Sequence, residues 1–233
     1  MSAHPRIVEV RRNVLKHNDQ VAGSLRERFE QASVFVASLV SSPGSGKTAF
    51  LEKTLTLLKE QGYRPAAVVG DLATANDADR LARSKAPVKQ ITTGTLCHLE
   101  AAMVGHAIED WNLKELDFLF IENVGNLVCP SSYDLGENMR VVLLSVTEGE
   151  DKPLKYPTIF SGADLAVITK IDLAAAVDFD RTAARANIQS VRPGIPMLEL
   201  SSKSGQGMGH WMDLLASKRE PHLGNLQTRV ADS

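Results

Sequence analysis

The chain has 233 residues, 26 basic against 28 acidic, a formal net charge of −2 and a pI near 6.3. With both signs interspersed there is no basic footprint for nucleic acid or an anionic membrane surface, and no run approaches the roughly eighteen apolar residues of a membrane helix. The start, MSAHPRIVEVRRNVLKHNDQ, lacks an apolar leader and no linker-like seam divides the chain, so the expectation is one cytoplasmic domain whose two cysteines stay reduced.

Val10, Val14, Val21, Leu25 and Phe29 recur at separations of four and seven among charged residues, which predicts an amphipathic flanking helix within 1–32. VFVASLV (34–40) then reads as a strand buried on both faces and SSPGSGKT (41–48) as a glycine-rich turn. AFLEKTLTLLKEQG (49–62) reads as a helix with Leu51, Leu55 and Leu58 on one face and Gly62 as its cap. Apolar runs at 66–70, 88–92, 118–122, 141–146, 165–169 and 196–200 read as further strands, with helical patterns at 97–111, 178–190 and 208–218. The polar end, 219–233, is expected to fray, leaving 33–218 as the domain proper. Doubly apolar strands alternating with helices specify an α/β fold: a doubly wound, mainly parallel sheet of about seven strands with helices on both faces and ligands at the strands' carboxyl ends.

Ser41 to Thr48 fits the P-loop pattern everywhere except its first place, where Ser41 stands for the usual glycine. Pro43, Gly44, Ser45, Gly46 and Ala49 belong to the loop and helix start whose N–H groups cradle phosphate oxygens; Lys47 supplies charge to the β/γ-phosphates and Thr48 a hydroxyl to Mg²⁺. Mg²⁺ takes one or two carboxylates besides, and Asp71 and Glu122, each closing an apolar strand, meet that need; Asp77 and Asp79 read more readily as loop acids. Lys47, Asp71 and Glu122 are thus the candidate catalytic residues.

TKID (169–172) resembles the guanine-reading N-K-x-D signature, with Thr169 where Asn is usual. Asp172 can accept from the ring N–H and exocyclic amine of guanine, a donor pair adenine lacks, while Lys170 lays its stem along the base. LSSKSGQG (200–207) follows the next strand, and its Ser201, Ser202 and Lys203 resemble the S-A-K loop that supports the base.

Cys97, His98 and Cys129 are soft or borderline ligands suited to Zn²⁺ or Ni²⁺, at no zinc-finger spacing. Helical neighbours diverge by about a hundred degrees, which disfavours a thiol–imidazole nucleophile; the ordinary alternative is that both cysteines are small core hydrophobes. Cys129 lies in ENVGNLVCP, where a loop sensing a γ-phosphate belongs, so the three residues can meet on the nucleotide side of the sheet. A fourth ligand is then water or a second subunit related by a two-fold axis, giving a labile site.

With these motifs in place, the chain resembles the HypB family of hydrogenase nickel-insertion GTPases, within the P-loop class that includes the urease accessory GTPase. The likeness covers roughly 8–216 through NVLKHND, LVSSPGSGKT, GDLATANDADR, TTGTLCHLEAAMV, ENVGNLVCPSSYDLGE, VTEGEDKPLKYP and TKIDL. It implies a Mg²⁺-dependent GTPase that binds nickel or zinc through Cys97, His98 and Cys129 and dimerises with GTP. It also implies delivery of nickel to a [NiFe]-hydrogenase precursor alongside a small zinc-containing nickel chaperone. The start of the chain carries only His4 and His17, without the cysteine cluster or histidine-rich tract of many members, so the domain's own metal site is the expected one. No glutamine in ENVGN orients water, so slow intrinsic turnover is expected, and Lys152 or Lys155 is a candidate to reach phosphate across a dimer. Two other readings stay open: a small-molecule P-loop kinase with Asp71 as base and an acceptor pocket around 97–129, and a binding module with a purely structural zinc.

Overall fold

Seven short runs, all but the third dominated by apolar residues, form β1 (Phe35–Ser41), β2 (Pro65–Asp71), β3 (Val88–Thr92), β4 (Phe118–Glu122), β5 (Met139–Ser145), β6 (Leu165–Thr169) and β7 (Met197–Glu199). The structure, a computed structural model, describes residues 5–71 and 76–231, with the side chains of 13–71, 77, 78 and 80–219. All seven strands are parallel in one sheet of order β3-β2-β4-β1-β5-β6-β7. β1 is central: Leu39 lies opposite Glu122 of β4 on one side and Val141 of β5 on the other. The chain winds to one edge through β2 and β3 and to the other through β5 to β7, and where winding reverses a crevice opens beyond the strand ends.

The helices are α1 (Pro5–Ala32), α2 (Lys47–Glu60), α3 (Asn76–Ala82), α4 (Ala101–Ala107), α5 (Lys152–Lys155), α6 (Pro157–Ser161), α7 (Arg181–Val191) and α8 (Met208–Ala231). Side chains alternate across a strand, and β1 divides accordingly. Phe35, Ala37 and Leu39 pack with Leu51, Leu55 and Leu58 of α2 and Trp211 and Leu215 of α8. On the opposite face Val36 meets Leu25 and Phe29 of α1 and Val104 of α4, and Val40 joins the cluster of α6 and α7. Gly62, with φ +85°, ends α2, the N–H of Tyr63 returning to the carbonyl of Leu58. Among the described residues, no helix is long and apolar enough to cross a membrane.

Three local expectations need correction. Val14 is 44% exposed, and the buried stripe of α1 begins at Asn18 and Ala22. α4 starts at Ala101 instead of near 97, because the N–H groups of Leu99 and Ala101 are taken by Asn123 Oδ1 (3.0 Å) and Asn18 Oδ1 (2.9 Å), which hold the preceding residues open. α8 continues to Ala231 where polar composition suggested fraying. Arg219 pins it: the guanidinium pairs with Asp117 and lies over the rings of Tyr63 (5.7 Å) and Phe118 (5.8 Å).

Asp117 also accepts from the backbone N–H and guanidinium of Arg64 at 2.8–3.0 Å. Burial pushes its pKa up, but the bonds from Arg64 and the charges of Arg219 and Arg64 outweigh that and hold it below its usual range. A depressed carboxylate contributes stability above its unfolded pKa, near 4, and loses it as pH falls through the folded value. Urea unfolding should therefore show falling stability below about pH 4, with a shallower acid slope in Asp117→Asn; an unchanged slope would remove Asp117 from the acid response.

Candidate nucleotide and metal site

β1 ends at Ser41 and α2 begins at Lys47, and the turn between them is left-handed at Gly44 (φ +74°) and Gly46 (φ +93°), conformations that glycine adopts without penalty. The helix start thus points its unpaired N–H groups at a cavity of about 520 Å³ lined by Pro43, Gly44, Gly46, Lys47, Thr48 and Ala49. Asp71 and Glu122 from the ends of β2 and β4 line it too. Ser41 gains a use from its departure: its hydroxyl accepts from Lys47 Nζ at 2.9 Å and contacts the hydroxyl of Ser45. Burial lowers the pKa of Lys47, with Glu122 opposing that shift, so an arriving phosphate meets an ammonium with few water contacts to lose.

Thr48 Oγ1 donates to Glu122 Oε1 at 2.8 Å, while Oε2 is buried without a hydrogen-bond partner. Burial raises the Glu122 pKa to about 7 against the pull of Lys47 and the Thr48 bond. An orphaned carboxylate oxygen beside a threonine hydroxyl suits Mg²⁺, a hard cation that takes oxygen ligands. Asp77, which the sequence read more readily as a loop acid, lines the same cavity and helps raise Glu122. Arg80 and Gly125 were missed as well, Arg80 lining the cavity while paired with Glu52 at 2.7 Å. Residues 72–75, which follow Asp71, and the Asp79 side chain lie outside the described residues, as does His4.

Adjoining this cavity through Gly46, Ala49 and Lys170, a second one of about 200 Å³ is lined by Thr169, Asp172, Ser201, Ser202 and Lys203. Its floor is tied to the phosphate loop: Thr169 Oγ1 donates to the Ser45 carbonyl at 2.7 Å and Lys170 Nζ to that of Gly44 at 2.6 Å. Both halves of the expected nucleotide site are thus brought together. Lys152 and Lys155 are engaged locally, Lys152 over the ring of Tyr156 and Lys155 with Asp151.

Cys97, His98 and Cys129 converge, their ligand atoms all within 4.8 Å of one another. Cys97 and His98 sit in the open turn before α4, so the helical divergence expected of neighbours does not arise. The thiols are free, with sulfurs 2.6 Å apart, and Cys97 Sγ is 3.9 Å from His98 Nδ1. The Cys129 contact and burial raise the Cys97 pKa, and burial lowers that of His98, favouring the neutral ring. Tyr133 stacks on that ring at 3.9 Å between centroids, and Glu100 lies 3.6 Å from Nε2, an ion-pair distance too long for a hydrogen bond. Two sulfurs and an imidazole nitrogen make a donor set for a borderline or soft metal.

The residues 122–129 join the two centres. Glu122 faces the phosphate cavity, and Gly125 packs so closely on the phosphate loop that a Cβ there would stand 3.0 Å from Pro43 Cα. Asn126 Nδ2 donates to the Cys97 carbonyl at 3.3 Å, and Cys129 ends the segment in the metal cluster.

The sequence profile of the CobW/HypB/UreG nucleotide-binding domain matches residues 35–199. A protein of Azotobacter chroococcum mcd 1 described as hydrogenase maturation factor HypB is 48% identical over 94% of this chain and 71% of its own length. The chain belongs to the HypB family. Among solved structures, HypB from Helicobacter pylori in complex with nickel superposes with a TM-score of 0.83 at 43% identity, covering 88% of this chain and 96% of that one. HypB from Archaeoglobus fulgidus gives 0.81 at 37% identity, over 88% and 99%. Membership in the HypB family accounts for the seven-stranded P-loop architecture and for a nucleotide-binding domain in hydrogenase maturation.

Proposed function

We propose that this chain is a Mg²⁺-dependent GTPase that carries nickel, with zinc as the competing ion, for assembly of a [NiFe]-hydrogenase in the cytoplasm, and that its nucleotide state sets its hold on the metal. The observation that carries this reading is the segment from Glu122 to Cys129, which touches the phosphate loop at one end and supplies a metal ligand at the other. The nickel-bound relative supports the choice of cargo.

In this reading Asp172 and the loop at Ser201, Ser202 and Lys203 select guanine, and Lys47 with the N–H groups of the loop holds the β/γ-phosphates. Thr48, Glu122 and Asp71 would hold Mg²⁺, which neutralises phosphate charge when bound. Among the described residues no glutamine lines the cavity, which favours slow turnover stimulated by a partner. A labile trio open to a fourth ligand suits transfer to and from a small zinc-containing nickel chaperone, with GTP or metal drawing two copies together and the hydrogenase large-subunit precursor served indirectly.

Nickel titration with GDP and with a non-hydrolysable GTP analogue tests the coupling. Affinities should differ by about 5- to 150-fold, the usual range of linkage, and nickel should shift nucleotide affinity equally; equal affinities in both states would defeat the proposal. Cys129→Ser is expected to weaken nickel binding by more than the roughly 10- to 100-fold of losing an outer-shell partner, with nucleotide binding kept. Unchanged nickel affinity in that variant would place the metal elsewhere.

A further inference from the structure

We infer that Glu100 is the positioning residue that readies His98 for a metal: its carboxylate keeps the ring proton on Nε2, so that Nδ1 faces the cysteine thiols with a free lone pair. This role deepens the proposed metal-carrying reading and rests on it.

The backbone brings the two side chains together. Glu100 is extended (φ −110°, ψ 154°), and residues two apart on an extended segment face the same way. Leu99 between them is wholly buried in the core with Val104 and Ile121, which leaves His98 and Glu100 on the other side. The N–H groups flanking Glu100 are fixed, that of Leu99 by Asn123 Oδ1 at 3.0 Å and that of Ala101 by Asn18 Oδ1 at 2.9 Å. Glu100 directly precedes α4, yet its side chain makes no capping bond, so the carboxylate is not spent on the helix.

The two ring nitrogens have unlike surroundings. Nδ1 lies 3.9 Å from Cys97 Sγ, in the cluster where the three ligand atoms are within 4.8 Å of one another. Nε2 is buried without a hydrogen bond, and Glu100 Oε1 stands 3.6 Å from it. Tyr133, stacked on the ring at 3.9 Å between centroids, holds its plane. Turned over, the ring would set carbons against both the sulfur and the carboxylate.

A neutral imidazole carries one N–H and one lone pair, and the group facing one nitrogen decides the state of the other. A carboxylate only accepts, so across 3.6 Å it attracts an N–H dipole and repels a lone pair. The proton therefore rests on Nε2, and Nδ1 is left able to ligate a cation before any ion arrives. The other tautomer would aim N–H at the thiols and offer the ion no nitrogen lone pair there. Glutamine lacks the bias, since its amide offers an acceptor to one tautomer and a donor to the other.

Long-range ¹H–¹⁵N NMR of the labelled, metal-free full chain at about pH 8, where an ordinary histidine is neutral, reads the tautomer directly. The His98 signals are those lost in His98→Asn. Wild type should hold Nε2–H over Nδ1–H by about ten-fold or more, as expected of a donor facing a charge. Glu100→Gln should lower that ratio by about five-fold. The same variant should weaken nickel binding, measured by calorimetry, by about 10- to 100-fold, the usual cost of losing the partner behind a ligand. A wild-type His98 with its proton on Nδ1 overturns the inference while leaving the metal-carrying reading intact. So does a folded Glu100→Gln chain that keeps the wild-type ratio, or one that binds nickel within about two-fold of wild type; should that variant not fold, the wild-type signals decide. Wild type with the proton on Nε2 but no affinity for nickel would overturn the metal-carrying reading, and this inference with it.

Discussion

Lys47→Ala is expected to reduce GTP turnover by about 10²- to 10³-fold, the range seen when one preorganised electrostatic donor is removed from a reaction centre. The structure gives the reason. The ammonium is buried, held 2.9 Å from the Ser41 hydroxyl, and set among the acids Glu122, Asp77 and Glu148, whose charges favour its protonated form. Without it, phosphates entering the cavity would face Glu122, Asp71 and Asp77 with no compensating charge from position 47. The lost stabilisation concerns charge that develops on the β/γ-phosphate oxygens as the bond to the leaving group breaks, so kcat should fall as well as affinity. Phosphate release at saturating Mg²⁺-GTP measures it. A variant retaining more than a tenth of wild-type kcat would show that Lys47 serves the fold and not the phosphates.

Trp211→Ala is expected to destabilise the chain by about 3–5 kcal/mol, the usual cost of emptying a large aromatic site in a core. Trp211 is wholly buried, its ring lies 5.1 Å from that of Phe50, and its indole N–H donates to Thr54 Oγ1 at 3.0 Å. Phe50 and Thr54 belong to α2, so this one side chain joins α8 to the helix that issues from the phosphate loop. Urea unfolding should show the loss, with Trp211→Phe losing less because only the N–H bond and part of the ring go. If the alanine variant cost under about 1 kcal/mol, far below the normal range, the α2–α8 contact would have relaxed around the gap.

The five inner strands were legible because they are largely apolar on both faces and end at a polar residue, as with Asp71 after AAVVG and Glu122 closing FLFIE, whereas the edge strands β3 and β7 are only partly buried. The candidate phosphate and base residues share adjoining cavities for a related reason: they are packed into short contiguous motifs that the fold needs only to bring together. Cys97, His98 and Cys129 were legible as a set by ligand type, but not as a shape. Their arrangement depends on Asn123, Asn126 and Asn18, which bond residues 24, 29 and 83 positions away, and asparagines in loops carry no local signature of such partners. Asp77 was obscured because it sits in a run of acids, NDAD, where spacing does not distinguish a cavity residue from a solvated one. The helical end of α8 was hidden for the same physical reason, since Arg219 reads as a polar surface residue until Asp117, 102 positions earlier, is placed beside it.

Asn18 lies on α1, where it accepts from the Ala101 N–H at 2.9 Å and donates to the Asp134 carbonyl at 2.8 Å, while Arg26, two turns on, holds the Asp134 carboxylate at 2.7 Å. One helix thus anchors both segments that bear the candidate metal ligands, the turn before α4 and the stretch after Cys129. Recombinant versions designed by trimming the protein to its P-loop core would bare Val36, Val68 and Leu119 to solvent and release both anchors. In the proposed metal-carrying reading, a partner that pulled on α1 would loosen the cluster of Cys97, His98 and Cys129 without approaching the phosphate loop.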